Sequence, residues 1–291
     1  MDSACENSRI RQYVPLYTGG DVRSVIRTDE GREGWDALME CPERAVLLWD
    51  LNGAAQELSP LNGMPQLDSD VRRELPRMGE RYAVNGVLTG WPCYQVSEIG
   101  LAVPGCHVWG QLACEHWDWQ KQTHRELVPP SSGLSMVYDK VHELVTELRL
   151  NPECIYARSH SLVLRYPVGT DREVVERLVG ELTDVTAAAG DLKLMQDRGV
   201  VKVAPAGLDK RVALRRILKE CVPFEPSVIM DAGDAPDRVI MGELDRLRRE
   251  EGIPTFKVGV RNLREGVDLF VPSPPRGVLP LIRALGDAPV R

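Results

Sequence analysis

No apolar run in the 291-residue chain approaches the roughly 18 residues needed to cross a bilayer. The first thirty residues carry mixed charge where a secretory signal needs an apolar stretch. Membrane-spanning and secreted proteins are thereby set aside, and a cytoplasmic location is expected. Basic charge is also in deficit, with 36 Lys and Arg against 43 Asp and Glu and a net charge of -7. A surface that neutralises nucleic-acid backbones carries the opposite balance, so neither nucleic acid nor membrane is an expected partner. The seven cysteines, at 5, 41, 93, 106, 114, 154 and 221, are odd in number and scattered, which excludes a disulfide framework and fits reduced thiols filling cores. There is no Gly-rich phosphate loop with a following Lys-Ser/Thr, no internal repeat and no low-complexity tract. Cys106, His107, Cys114, His116 and His124 are zinc-type donors, but their spacing matches no standard zinc pattern and no zinc site is expected.

What remains reads as a globular chain of ordinary composition, 43% hydrophobic and 27% charged, long enough for a core plus a smaller inserted unit. Residues 1–32 show little periodicity and read as an N-terminal extension. Ala45 to Trp49 is a continuous apolar run that stops abruptly at Asp50, the pattern of a buried parallel strand delivering a carboxylate at its tip. A polar helix with Ser69 as N-cap and a second strand from Tyr82 to Leu88, ending at Thr89, complete a strand-helix-strand crossover. Residues 129–205 differ in texture, with helices and paired short strands, and read as an inserted α+β lid. Strand and helix then alternate again. The expected fold is α/β, a doubly wound parallel sheet of Rossmann-like type split as 33–128 and 206–291, with the lid between.

The polar residues at the presumed strand ends are Asp50, Asn52, Thr89, Asp234 and Asp237, with Lys210 opening a helix. A carboxylate that can attack phosphorus, a hydroxyl and an ammonium that can hold phosphoryl oxygens, and further carboxylates that can anchor a metal are the parts for Mg²⁺-assisted phosphoryl transfer. In order along the chain, Val46 to Gly53 resembles a first motif in which an apolar strand ends in Asp-x-Asp-Gly-Thr. Leu88 to Gly90 resembles a Ser/Thr-Gly-Arg motif, Ala206 to Leu214 a lysine-bearing third motif, and Val228 to Leu244 a Gly-Asp-Asp-x-Thr-Asp-Glu motif. Ser161 to Tyr166, Phe256 to Gly259, the Val271-Pro-Ser-Pro stretch and the closing Leu-rich helix extend the match over residues 33 to 286. On these motifs the chain resembles the haloacid dehalogenase superfamily, and within it the trehalose-phosphate phosphatases.

The resemblance implies a nucleophile at Asp50, a phosphate-binding hydroxyl at Thr89, a phosphate-binding lysine at Lys210 and a metal carboxylate at Asp234, with Asp237 beside it. Mg²⁺ is the cofactor it implies and a sugar-like phosphate the substrate, with Arg158, Arg165 and Lys202 as lid residues near the family's sugar-binding positions. Several positions depart from the pattern. Asn52 stands where the family has its general acid and base, Trp91 where it has arginine, and Arg211 where it has glycine. Tyr156, Arg158, Lys202 and Ala204 replace lid residues, and Leu112 and Ala113 replace a His-Gly pair. An ungapped match sets Gly233 on the first metal aspartate, whereas a one-residue deletion sets Asp234 there. Two functions are compatible with this set: a phosphohydrolase working through an aspartyl-phosphate at Asp50 with altered or weak activity, and a silent pseudo-phosphatase acting in binding or regulation.

Overall fold

The computed structural model describes residues 22–57, 67–167, 169–197, 199–272 and 277–287. It divides into two compact units, one of residues up to 125 together with those from 213 onward, the other of residues 126–212. Residues 1–21 of the expected extension, and the last two residues of the Val271-Pro-Ser-Pro stretch, lie outside the described residues.

The chain runs α1 (Asp29–Glu40), β1 (Ala45–Trp49), α2 (Ser69–Arg77), β2 (Val84–Leu88), α3 (Cys93–Glu98), β3 (His107–Gly110), β4 (Glu115–Asp118) and β5 (Thr123–Glu126). There follow α4 (Gly133–Glu147), β6 (Ile155–Ala157), β7 (Leu162–Arg165), α5 (Arg172–Ala189), β8 (Leu192–Asp197) and β9 (Val200–Pro205). The last elements are α6 (Lys210–Glu220), β10 (Val228–Gly233), α7 (Arg238–Glu251), β11 (Thr255–Val260), β12 (Leu269–Val271) and α8 (Val278–Gly286).

The first unit holds an eight-stranded sheet in the order β12-β11-β10-β1-β2-β3-β4-β5. Neighbours are parallel from β12 to β3, and β4 returns antiparallel. Every residue of β1, β2 and β10 is buried, as a parallel sheet covered on both faces requires. From β1 the chain passes to β2 on one side and later returns to β10 on the other. The carboxyl ends of β1 and β10 therefore form the switch point at which open α/β sheets bind ligands.

Residues 22–32 correct the expectation of a loose extension up to residue 32. Val22 and Ile26 are buried in the main core, and Thr28 caps α1 by accepting a hydrogen bond from the Gly31 N–H at 2.9 Å. Within α1, a Cβ on Gly34 would lie 2.2 Å from the Thr255 carbonyl oxygen, so only glycine lets the helix rest on β11. The cap of α2 is also one residue earlier than expected. Asp68, not Ser69, accepts from the N–H groups of Asp70 and Val71, because its carboxylate reaches both at once.

The second unit is a four-stranded antiparallel sheet, β6-β7-β9-β8. Leu162, Leu164, Val201 and Val203 alternate onto one face and join Val141, Leu144, Leu178 and Leu182 of α4 and α5 in a separate core. Asp171 caps α5 at its start and Gly190, at φ 76°, ends it.

Candidate active site at the switch point

Asp50 follows the last residue of β1, and its N–H donates to the Ala232 carbonyl of β10 at 2.9 Å, extending the ladder one residue past the strand. The chain then turns through Gly53 at φ 103°. Two bonds lock that turn, from Ala55 N–H to the Asp50 carbonyl at 3.0 Å and from Gln56 N–H to the Leu51 carbonyl at 2.9 Å. Asn52 sits half-buried inside it, bridged to Gln56. A side chain at position 50 is thus set by backbone bonds on two sides, the rigidity a reacting group needs.

Beyond β10 the chain enters a short 3-10 turn, Ala235–Asp237, that leads into α7. Asp234 N–H donates to Asp237 Oδ2 at 3.1 Å, and Asp237 N–H donates to the Asp234 carbonyl at 2.9 Å. Asn262, in the turn after β11, accepts from Ala235 N–H at 3.1 Å and holds the turn from the other side. Asp50, Asp234 and Asp237 are all buried, and one carboxylate oxygen from each lies within 4.8 Å of the others. Three carboxylates that close repel one another, and their hard oxygen donors suit a divalent cation such as Mg²⁺. Asp231 lies inside β10 and is not part of this cluster.

Packing leaves no room for a side chain at position 233. A Cβ on Gly233 would lie 2.1 Å from Asp237 Oδ2. The position directly after Ala232 is filled by a carboxylate that arrives from four residues further on, and Asp234 supplies the second.

Thr89 is buried beyond the end of β2, next to β1 in the sheet, and its Oγ1 accepts from Trp91 N–H at 3.2 Å. A left-handed turn supports this loop: Gln111, Leu112 and Ala113 have φ of 48°, 60° and 57°. Gln111 N–H donates to the Trp91 carbonyl and Leu112 N–H to the Thr89 carbonyl, each at 2.9 Å. Three successive non-glycine residues in this conformation are costly, and such strain gathers near functional sites. Neither this turn nor Asn262 was identifiable from the sequence. Asn in a post-strand turn is commonplace, and Gln-Leu-Ala carries no signal for positive φ.

Lys210, half-buried, is the first residue of α6, where Asp209 accepts from Val212 N–H at 2.9 Å. In the four-stranded sheet, Arg165 places its guanidinium 5.0 Å from the centre of the Tyr156 ring. Lys202 pairs with Val163 in register, on the face away from α4 and α5 that alternation also gives to Arg165 and Tyr156. Arg158 follows β6, its N–H donating to the Ser161 carbonyl at 2.9 Å.

No protein-family model matches the sequence, and no curated protein does. Solved structures do. The C-terminal domain of a Candida albicans trehalose-6-phosphate phosphatase matches with a TM-score of 0.67 at 15% identity, covering 90% of this chain and 98% of that one. A Candida albicans trehalose synthase regulatory protein C-terminal domain gives 0.65 at 13% identity, with 90% and 99% covered. A haloacid dehalogenase-like hydrolase from Bacteroides thetaiotaomicron gives 0.60 at 14% identity, with 83% and 99% covered. The chain therefore has the fold of the haloacid dehalogenase-like phosphatases, doubly wound sheet and separate α+β unit together.

Proposed function

We propose that this chain, on a fold it shares with haloacid dehalogenase-like phosphatases, transfers a phosphoryl group from a sugar-like phosphate to Asp50. The observation that carries the reading is the buried cluster of Asp50, Asp234 and Asp237 at the switch point of the sheet. The Asp50 carboxylate attacks phosphorus, the bond to the leaving oxygen breaks, and an aspartyl-phosphate forms. The family resemblance gives Thr89 and Lys210 the role of holding the phosphoryl oxygens, and Arg158, Arg165 and Lys202 that of contacting the sugar-like part. Asp50, Asp234 and Asp237 would hold Mg²⁺, which would supply charge neutralisation for the phosphoryl group. Asn52 orients a neighbouring oxygen through its amide but cannot pass a proton to it. That deficit costs ~10²- to 10⁴-fold when the leaving group is an alkoxide. Turnover is accordingly slow on sugar phosphates and faster on an aryl phosphate, whose phenolate departs unprotonated.

A second reading is favoured by the same Asn52: a silent phosphatase fold retained for binding or regulation. The regulatory protein among the structural neighbours has this fold too. Phosphate release with Mg²⁺ from a panel of sugar phosphates and an activated aryl phosphate separates the two. Asp50→Asn is expected to abolish release, and Asn52→Asp to raise sugar-phosphate turnover by ~10²-fold or more. No release from any substrate, even with Asn52→Asp, would leave the regulatory reading standing.

A further inference from the structure

The strand pair β4-β5 divides its metal-type side chains between two faces of the sheet by simple alternation. His116 and Asp118 point to one face, where His116 stacks on Trp109 with ring centres 5.1 Å apart and contacts His107, the two ring nitrogens being 3.1 Å apart. Glu115 and Trp117 point to the other, together with His124 of β5. There they meet Cys93, the first residue of α3, which approaches from over 20 positions earlier in the chain. The zinc-type residues conspicuous in the sequence are thus separated, and a different set is assembled: Cys93, Glu115 and His124, with Sγ, a carboxylate oxygen and an imidazole nitrogen within 4.8 Å of one another.

We propose that Cys93, Glu115 and His124 form a second metal site, for a zinc-class cation, with one coordination position open to the adjoining cleft. Glu115 is held in place by other groups. Its Oε1 accepts from Cys93 N–H at 2.7 Å and from Gln111 Nε2 at 3.3 Å, leaving Oε2 to meet His124 Nε2 at 3.0 Å. This is the arrangement in which surrounding hydrogen bonds orient a ligand. Gly110 makes the approach possible, since a Cβ there would lie 2.7 Å from Glu115 Oε1 and 2.8 Å from Cys93 N.

Tetrahedral zinc with thiolate, imidazole and carboxylate ligands sets its donor atoms ~3.3–3.6 Å apart. The three donors already lie within 4.8 Å of one another, and the side chain of His124, 46% exposed, has room to adjust to that spacing. The donor set favours a borderline-soft ion over Mg²⁺, whose oxygen preference the Asp50 cluster fits instead. Three protein ligands with an open fourth place is the pattern of a reactive or exchangeable zinc. The cleft on that side has a volume of about 330 Å³ and is lined by Tyr94, Ser97, Ala102 and Trp117. The buried indole N–H of Trp117 has no hydrogen-bond acceptor among the described residues and is available to a water or anion on the metal. A cysteine nucleophile is the competing use of these residues. It is disfavoured because His124 bonds to Glu115 while the Cys93 thiol lies 3.5 Å from the Val108 carbonyl. On metal binding the thiol loses its proton to solvent and the thiolate takes its place as ligand.

Titration of the full-length protein with Co²⁺ tests the site, because a thiolate ligand gives a near-ultraviolet charge-transfer band that carboxylate sites do not. One equivalent is expected to produce the band in the native protein and in Asp50→Asn, which removes only the other cluster. Cys93→Ser should abolish it, and His124→Ala, at a half-exposed position, should weaken Co²⁺ binding at least ~10-fold while circular dichroism confirms that the variant is folded. Absence of the band in the native protein, its survival in Cys93→Ser, or unchanged affinity in His124→Ala would each overturn the assignment.

Discussion

At the scale of single residues, the amide of Asn52 acts on both halves of the proposed cycle, since the group that protonates the leaving oxygen is also the one that later activates water. With an aryl phosphate the first half needs no proton and the second still does, so the aspartyl-phosphate should accumulate. Mass spectrometry after acid quench is expected to find close to one phosphoryl group per chain in the native protein and little in Asn52→Asp, which hydrolyses it. Gly233 acts by exclusion. Its Cβ would lie 2.1 Å from Asp237 Oδ2, so Gly233→Ala should displace the carboxylate and cost about 1–3 kcal/mol in urea unfolding. The same substitution should weaken Mg²⁺ binding, measured by calorimetry.

Between elements, the contact that ties α6 to α7 is ionic. Glu243, buried on α7, accepts from Arg215 of α6 at 2.8 and 2.7 Å and from Arg246 at 2.8 Å. Burial opposes ionisation of this carboxyl, but the bonds from Arg215 and Arg246 outweigh it and hold it below its usual range. A carboxyl whose folded value is depressed stabilises the fold above its unfolded value, ~4.3, and loses that contribution as pH falls through the folded one. Glu243→Gln should therefore cost about 1–3 kcal/mol at neutral pH. The gap from the native protein should narrow as urea midpoints are followed down to pH 3, and a constant gap would assign the effect to packing. Elements also explain the hidden second cluster. Strands β3 to β5 have four residues each, too short for periodicity to separate their faces, and Cys93 joins them only through tertiary packing.

Across the whole molecule, the parts most legible in the sequence were those with long uniform patterning. The run Ala45 to Trp49 ending at Asp50 announces itself because burial on both sides demands continuous apolar residues, and the long helix α5 and the strand-helix alternation after residue 205 because their apolar residues recur with a steady period. The carboxylates Asp50, Asp234 and Asp237 were identifiable as strand-end residues, but their convergence depends on close packing at Gly233 that no sequence pattern signals. The start of the first unit was illegible because the stretch around Asp-Glu-Gly holds only isolated apolar residues. Val22 and Ile26 are nonetheless buried, and Thr28 Oγ1 donates to Asp268 Oδ1 at 2.5 Å, tying the segment to the far end of the chain. Removal of residues 1–32 should cost about 3–6 kcal/mol from those two side chains, a large share of the ~5–15 kcal/mol that holds a domain together. Thermal melting of that truncation beside one ending at residue 21 checks this.

The crowding at Gly233 also limits how this site can change through descent. In this packing a side chain at 233 and the carboxylate of Asp237 compete for one volume, so one can enter only if the other or the turn Ala235–Asp237 moves. Gly233→Asp made first collides with Asp237, and loss of Asp237 made first leaves the cluster one donor short. Among descendants of this chain, a side chain at 233 should therefore come with a change at 237 or in the turn Ala235–Asp237.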